Sequence, residues 1–140
     1  MRLLAGATAQ LRANHIAGNG GAGVEVSGAG GPCLLVENEI HANGGAGVAV
    51  GDGAHPLLEK NGIRDNRSGG VHLAAGARGK LLRNVIERNA GRGLRVEAGA
   101  APVLGENSVQ SNEEDGDEAA AAGAAVPRAE EGDDVIGEES

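Results

Sequence analysis

The sequence predicts an all-β fold, a right-handed parallel β-helix (a solenoid) of about four to five turns with about 23 residues in each turn. Three observations favour it: one asparagine-centred pattern recurs through residues 3–112, glycine contributes 26 of 140 residues, and Phe, Trp and Tyr are absent. A core without rings must be filled by Leu, Ile, Val and Ala, which suits a narrow solenoid better than an ordinary compact domain.

Three columns define the repeat, a column being the residues that take the same place in successive repeats. The first asparagine column, taken as position 0, recurs at spacings of 24, 23, 23 and 23 residues: Asn14, Asn38, Asn61, Asn84 and Asn107. The second, five residues later, contains Asn19, Asn43, Asn66, Asn89 and Asn112. A leucine column three residues before the first contains Leu11, Leu35, Leu58, Leu81 and Leu104. Aliphatic residues follow at +2, +10 and +12, as at Ile40, Val48 and Val50.

These columns predict stacked turns of short strands. The Asn-x-Ile and Val-x-Val segments alternate with period two and are separated by Gly, Asn or Pro, which makes them too short for helices. Residues one repeat apart become ladder neighbours when the turns lie roughly 4.8 Å apart, so we expect inward aliphatic stacks and amide hydrogen bonds from turn to turn. We also expect the asparagines to take left-handed backbone angles, and the glycines at +9 and −8 to supply corners with positive φ.

The last repeat fades into an acidic tail. Residues 113–140 carry 11 acidic residues and one basic residue, Arg128, and the preceding body has a net charge of +2. The +10 and +12 positions of the last repeat hold Asp117 and Ala119, which cannot extend an aliphatic stack. We therefore place a β-helix domain at residues 1–112 and a disordered, low-complexity tail at 113–140. Because the chain begins inside a turn, an uncapped N-terminal turn able to make end-to-end contacts is also expected.

The cellular location is predicted from cysteine usage and hydropathy. The lone Cys33 cannot form an internal disulfide, and the sequence has neither a signal-peptide core nor an apolar run approaching about 18 residues. We expect an intracellular protein of the cytoplasm or nucleus that does not associate with membranes.

No pattern in the sequence favours a metal, a cofactor or a catalytic group. Asp65 lies one turn from Glu87, but Arg64 and Arg88 alternate with them, which favours an ion-pair lattice over a catalytic carboxylate pair. The histidines occupy four different columns: His15, His41, His55 and His72. Residues 18–23 match a dinucleotide fingerprint, but the repeat already explains those glycines, and the calcium-binding β-roll pattern lacks its aspartates.

One asymmetric surface feature is basic. Six residues fall on or beside one predicted corner of two adjacent turns: Arg64, Arg67, Arg88, Arg92, Arg95 and His72. Arginine pairs well with carboxylates and phosphates, so these are the predicted binding residues, although a merely solvated corner explains them equally well. Nucleic acid is disfavoured as a partner because the body carries little net charge and has no ring on which a base could stack.

A family resemblance rests on residues 14–19, 38–43 and 53–61. These segments look like the right-handed β-helix repeats of carbohydrate-binding proteins and sugar hydrolases. The pattern Gly-Ala-x-Pro-x-Leu-x-x-Asn-x-Ile-x-x-Asn most resembles the C-terminal β-helix of β-helical F-box proteins. In such proteins the β-helix recognises the substrate of a ubiquitin ligase, and a separate helical F-box binds the ligase scaffold. No F-box-like helical segment lies in these 140 residues, so a ligase role requires that the chain is a fragment or a truncated relative.

Two function classes stay open at this point. The first is a non-catalytic module that recognises a protein partner with its flat ladder faces and its basic corner. The second is a β-helix that binds or degrades a polysaccharide, against which the absence of aromatic residues counts, because sugar rings commonly stack on such side chains.

Overall fold

Short strands follow one another through the described part of the chain. The computed structural model describes residues 2–3, 9–28 and 33–113, and side chains are described in the latter two ranges. The strands are β1 (Arg2–Leu3), β2 (Ala9–Arg12), β3 (His15–Ala17), β4 (Val24–Val26), β5 (Cys33–Val36), β6 (Glu39–His41), β7 (Val48–Val50), β8 (Leu57–Glu59), β9 (Gly62–Arg64), β10 (Val71–Leu73), β11 (Lys80–Leu82), β12 (Val85–Glu87), β13 (Leu94–Val96), β14 (Val103–Gly105) and β15 (Ser108–Gln110). Within these ranges there is no helix, and thus none with the length and apolar character to cross a bilayer.

The strands form three parallel sheets that run the length of the coil. Sheet A has the order β1-β4-β7-β10-β13, sheet B has β2-β5-β8-β11-β14, and sheet C has β3-β6-β9-β12-β15. Every pairing is parallel, and each turn of the chain contributes one strand to each sheet. The predicted parallel β-helix of about 23 residues per turn is therefore confirmed. Residues 114–140, most of the predicted tail, lie outside the described residues, as do residues 4–8 of the predicted uncapped turn.

The core is a set of aliphatic stacks along the axis. In sheet B, Leu35 pairs with Leu58, which pairs in the next turn with Leu81. These three side chains are fully buried, and the equivalent isoleucines of sheet C and valines of sheet A are buried with them. Leu11 and Leu104, in the outer turns, are only partly buried. Since each buried Leu or Ile contributes about 1.5–3 kcal/mol, the predicted inward columns are the main apolar contribution to stability.

Two asparagine ladders run parallel to the aliphatic stacks. The side-chain oxygen of Asn61 accepts from the backbone N–H of Asn38 at 2.9 Å and from its Nδ2 at 3.0 Å. The same Nδ2 donates to the carbonyl of Leu11 at 2.9 Å. This pattern recurs along both asparagine columns, and most of these side chains are buried. From Asn38 to Asn89, each buried amide is thus satisfied by the turns on either side, as predicted.

The left-handed residue at each corner precedes the asparagine, which corrects the prediction that the asparagines adopt this conformation. The backbone φ is 59° at both Glu37 and Lys60, and 58° at Asp65. The same holds at the other corners, with positive φ at Ala13, Gly18, Ala42, Arg83, Arg88, Glu106 and Ser111. The turn made there lets each asparagine direct its N–H and its amide along the axis. A non-glycine residue in this region costs roughly 1–2 kcal/mol, which the asparagine hydrogen bonds, at roughly 0.5–1.5 kcal/mol each, offset.

Glycine is required for a different reason in each of the two glycine columns. At −8, Gly53, Gly76 and Gly99 have φ of 81°, 83° and 93°, which confirms the expected positive φ. At +9 the expectation is wrong, because these glycines do not have positive φ and are required by close approach instead. A Cβ on Gly47 would lie 2.5 Å from Cγ2 of Ile63 and 2.9 Å from the carbonyl oxygen of Gly70. Each turn is therefore tight against the next at this column.

Candidate functional site

The six predicted basic residues lie on the two sides of one corner of the coil. Arg64 is the last residue of β9 and Arg88 directly follows β12 in sheet C. His72 and Arg95 lie at the centres of β10 and β13 in sheet A. The second asparagine corner separates the two groups, because Arg64 and Arg88 precede it along the chain and the others follow it. The sequence columns gave the correct position of each residue along its turn. The chain changes direction at this corner, however, so side chains before and after it leave the coil in different directions.

Arg64 and Arg88 belong to an ion-pair lattice, as the alternation of signs predicted. Arg64 pairs with Glu39 in the preceding turn, and its Nε lies 3.9 Å from a carboxylate oxygen of Asp65. Arg88 joins Asp65 at 3.5 Å and Glu87 at 3.0 Å. Neither arginine lines the groove described next, so we take these two arginines out of the candidate site.

The other basic residues gather around a groove beside sheet A. This groove, the His72 groove, has a volume of about 330 Å³. Its principal lining residues are Ser68, Gly69, His72, Gly91, Arg92 and Arg95. His72 pairs directly with Arg95 across adjacent strands, and Arg92 lies two residues before β13. Arg67 is exposed in the turn nearby and is not among the residues that line the groove.

Glycines in the second asparagine corner leave room for the groove. Gly69 and Gly91 have φ of 123° and 73°, which favour glycine. A Cβ on Gly69 would lie 2.7 Å from the carbonyl oxygen of Arg92. That same carbonyl accepts the N–H of Gly70 at 3.1 Å, which fixes the backbone of Arg92 against the turn before it. The floor of the groove is therefore rigid backbone, and its charged side chains are held on ladder positions.

Glu97 sits beside the groove and is paired with its histidine. Nε2 of His72 lies 2.6 Å from a carboxylate oxygen of Glu97, and both side chains are about one-third exposed. The hydrogen bond to His72 lowers the pKa of Glu97, desolvation acts in the opposite direction, and the charges of His72 and Arg95 lower it further. The Glu97 carboxylate is consequently ionised at neutral pH and orients the imidazole.

Another acidic residue, Glu113, already reaches the rim of the groove. Its carboxylate accepts the backbone N–H of Gly91 at 2.8 Å. The sequence pattern did not single out Glu97 or Glu113 as neighbours of the basic residues. The sequence could have indicated that Glu113 lies near the basic residues, because it is at +6 of its repeat, the position that Arg67 takes two turns earlier.

A second groove lies on sheet C and has mixed charge. It has a volume of about 320 Å³. Its main lining residues are Glu39, Lys60, Gly62, Arg64, Arg83 and Glu87. Gly62 pairs with Glu39 on one side and with Val85 on the other, so the missing side chain leaves a depression in this outward column. Val85, 42% exposed, forms its apolar wall. Arg83 is held here by Glu59 at 3.4 Å, so positive and negative charges are largely balanced.

The histidines are closer than their columns suggested. The rings of His15 and His41 lie edge to face with centroids 6.1 Å apart, because β3 and β6 are neighbours. Among residues 9–28 and 33–113, however, no group of three or more His, Cys, Asp or Glu side chains is placed to hold a metal ion. The expectation that no metal or cofactor is bound stays a prediction.

The described residues form three parallel sheets with charged outer faces, which defines the class of protein as a parallel β-solenoid. Residues 3–126 match the family model described as right handed beta helix region. The chain therefore belongs to the right-handed β-helix family. Neither the curated proteins nor the solved structures contain a significant match to it.

Proposed function

We propose that this protein is a non-catalytic recognition module that binds an acidic segment of a partner protein in the His72 groove. Following the resemblance of its repeats, we further propose that it serves as the substrate-recognition part of an F-box-type ubiquitin ligase receptor, or as a fragment of one. The setting proposed for this role is the cytoplasm or nucleus. The class of ligand is assigned from the groove, and the ligase connection rests on the sequence resemblance.

The observation that carries the proposal is the charge of the His72 groove. Arg92 and Arg95 are exposed side chains, three residues apart in one turn, that line the same groove. Guanidinium groups bind carboxylates through paired hydrogen bonds, and a prearranged pair loses less side-chain entropy on binding than two unconnected residues would. An extended acidic peptide laid along the groove can place carboxylates against both arginines, while Glu97 keeps the His72 ring in position.

Polysaccharide binding or degradation is the alternative, and the sheet C groove favours it. Glu39 and Glu87 line that open depression, and glycosidases use pairs of carboxylates. Both carboxylates are engaged by arginines, Glu39 by Arg64 and Glu87 by Arg88, which is unfavourable for proton transfer to a sugar. The balanced charges of that groove therefore support a structural ladder face more than a catalytic one.

Titration with a fluorescent hexaglutamate peptide tests the proposal, with a hexaglutamine peptide as the uncharged control. We expect the full chain to bind hexaglutamate at low ionic strength. The R92Q/R95Q variant should bind about tenfold more weakly, which corresponds to about 1.4 kcal/mol. The matched variant R78Q/K80Q removes the same charge from exposed positions outside the groove and should change the affinity less than about twofold.

Two results would overturn the proposal. Equal weakening in both double variants would mean that the peptide responds only to net charge. Binding of neutral or uronate oligosaccharides without any binding of hexaglutamate would favour the polysaccharide alternative instead.

A further inference from the structure

We infer that Asn19 is a site of spontaneous deamidation, at which the backbone nitrogen of Gly20 attacks the side-chain carbonyl and the asparagine becomes aspartate or isoaspartate. Three ladder asparagines are followed directly by glycine: Asn19, Asn43 and Asn61. Glycine makes each pair chemically competent, because it has no Cβ to hinder the approach of its nitrogen. This modification does not depend on the ligand proposed for the His72 groove.

The local sequence does not distinguish the first two of these pairs. Asn19 and Asn43 are each followed by Gly-Gly-Ala-Gly-Val. Their reactivity in the unfolded chain is therefore expected to be nearly the same. A difference between them in the folded protein must come from the hydrogen bonds and the burial that the coil imposes.

The attacking nitrogen is bound in two of the three pairs. The N–H of Gly44 donates to the carbonyl oxygen of Asn19 at 2.8 Å, and that of Gly62 donates to the preceding turn at 2.9 Å. Within residues 9–28 and 33–113, the N–H of Gly20 has no acceptor. Gly20 is also exposed, and a Cβ on it would meet no atom within 4 Å. The backbone after Asn19 therefore has room to rotate into the reactive geometry.

The carbonyl group under attack differs in the same way. Oδ1 of Asn43 accepts from the N–H and Nδ2 of Asn19, and Nδ2 of Asn43 donates to Asn66 at 2.9 Å. Asn61 is held in the same manner by the asparagines of the turns on either side. Asn43 and Asn61 are 0% and 1% exposed. Asn19 is only partly buried, and no residue in the described part of the chain donates to its Oδ1. Its side chain is thus held from one side only.

The reaction consumes water and needs no other co-reactant. The Gly20 nitrogen loses its proton to solvent and forms a bond to Cγ of Asn19. The bond between Cγ and Nδ2 then breaks, and Nδ2 takes up a proton and leaves as ammonia. Water opens the resulting cyclic imide at one of its two carbonyl carbons. Opening at Cγ gives aspartate, and opening at the backbone carbonyl of Asn19 gives isoaspartate, without any transfer of electrons to or from the protein.

The product weakens the start of the second asparagine column. Nδ2 of Asn19 donates to Oδ1 of Asn43 at 2.9 Å, and a carboxylate oxygen in its place cannot donate. Two acceptors then face each other, and the corner gains a negative charge. Isoaspartate also lengthens the backbone by one methylene group, which displaces the carbonyl that accepts the N–H of Gly44. The bonds of Asn43 to the following turn are retained, so the damage is confined to this end of the ladder.

The test follows conversion of each asparagine in the full chain by proteolytic digestion and mass spectrometry after incubation in mildly alkaline buffer. We expect Asn19 to convert at least about tenfold faster than Asn43 or Asn61, because the two buried sites react only when the coil opens. Gly20→Ala should slow conversion at Asn19 about tenfold, since its Cβ hinders the attacking nitrogen. The matched control is Gly21→Ala, which adds the same methyl group in equally open surroundings and should leave the rate within about twofold.

Incubation in concentrated urea gives the reference without a fold, in which Asn19 and Asn43 should convert at similar rates. Equal rates at these two sites in the folded chain would overturn the inference, as would conversion of Asn19 in urea alone. Equal slowing by Gly20→Ala and Gly21→Ala would exclude attack by the Gly20 nitrogen and would also overturn it. If an alanine variant fails to fold, the ratio of the Asn19 rate to the Asn43 rate in the unmodified chain still decides.

Discussion

The interior and the exterior of this coil share one period but differ in regularity. Inside, the same residue type recurs in turn after turn, as in the stack of Leu35, Leu58 and Leu81. Outside, the column that contains His72 runs from Glu25 through Ala49 to Arg95, so that its chemistry changes with every turn. Every turn must satisfy the same buried groups, whereas an outward position is free to vary. Function specific to this chain is therefore to be sought in the irregular columns.

The largest loss of stability is expected from Asn61→Ala in the buried asparagine ladder of the interior. The change removes the acceptor of two donors of Asn38 and the donor that reaches Leu35 at 2.8 Å. Because each buried polar group left unsatisfied costs about 1–3 kcal/mol, we expect a loss of about 3–5 kcal/mol in the free energy of unfolding. Denaturant titration measures it.

The control for this change is Asn14→Ala, at the exposed start of the same ladder. Asn14 donates to Asn38 from its N–H and its amide, and its side chain is in contact with solvent. We expect a loss of about 1 kcal/mol or less. A similar loss at both positions would contradict the view that burial, rather than the amide itself, makes the ladder essential.

The next effect is expected from Gly47→Ala, which tests close packing between turns. The new methyl group would meet Ile63 at 2.5 Å, so the turns must separate or strain, at a cost of about 1–3 kcal/mol. Gly51→Ala is the matched control four residues away, where the nearest atom to a new Cβ is Ser27 Cβ at 3.3 Å. Thermal unfolding measures the loss of stability in both variants. An equal loss in the two would be inconsistent with a steric cause at the +9 column.

A smaller change, a gain in stability, is expected from Lys60→Gly. Lys60 has φ of 59°, and glycine removes the left-handed penalty while it adds chain entropy to the unfolded state. The net result should be a gain of about 0.5–1 kcal/mol in the free energy of unfolding. Lys60→Ala retains a Cβ and should show no comparable gain. Stabilisation by alanine as large as that by glycine would point to the lysine charge instead of the backbone.

The smallest effect is electrostatic and concerns His72→Gln. The variant removes the charge and the hydrogen bond that lower the pKa of Glu97, so this pKa should rise toward 4.5, its ordinary value. A carboxylate with a depressed pKa in the folded state contributes stability above its unfolded pKa and loses it as the pH falls through the folded pKa. The variant should therefore show a smaller contribution of Glu97 to the pH dependence of stability below about pH 4.5, although Arg95 still lowers the Glu97 pKa. Carbon-13 NMR titration of the Glu97 carboxyl, with His55→Gln as the control, measures the shift.

The coiled arrangement of the chain could be predicted from the sequence, but the backbone conformation at its corners could not. The recurrence of Asn38, Asn61 and Asn84 was sufficient to predict both the sheets and the amide ladders, because like residues must stack in a parallel coil. The left-handed residues were missed since Glu37, Lys60 and Arg83 have nothing in common that favours positive φ. A column number gives the position along a turn but not the direction in which a side chain leaves it, so the sequence could not separate the arginines of sheet C from those that line the His72 groove.

The direction of the asparagine bonds has a consequence for synthesis on the ribosome. In the ladder asparagines from Asn14 to Asn89, the amide and the N–H donate to the oxygen of the following turn, as from Asn38 to Asn61 and from Asn61 to Asn84. A turn that has just emerged holds donors whose acceptors are still about 23 residues from completion. The nascent coil thus completes the hydrogen bonds of each turn only when the next turn has been synthesised.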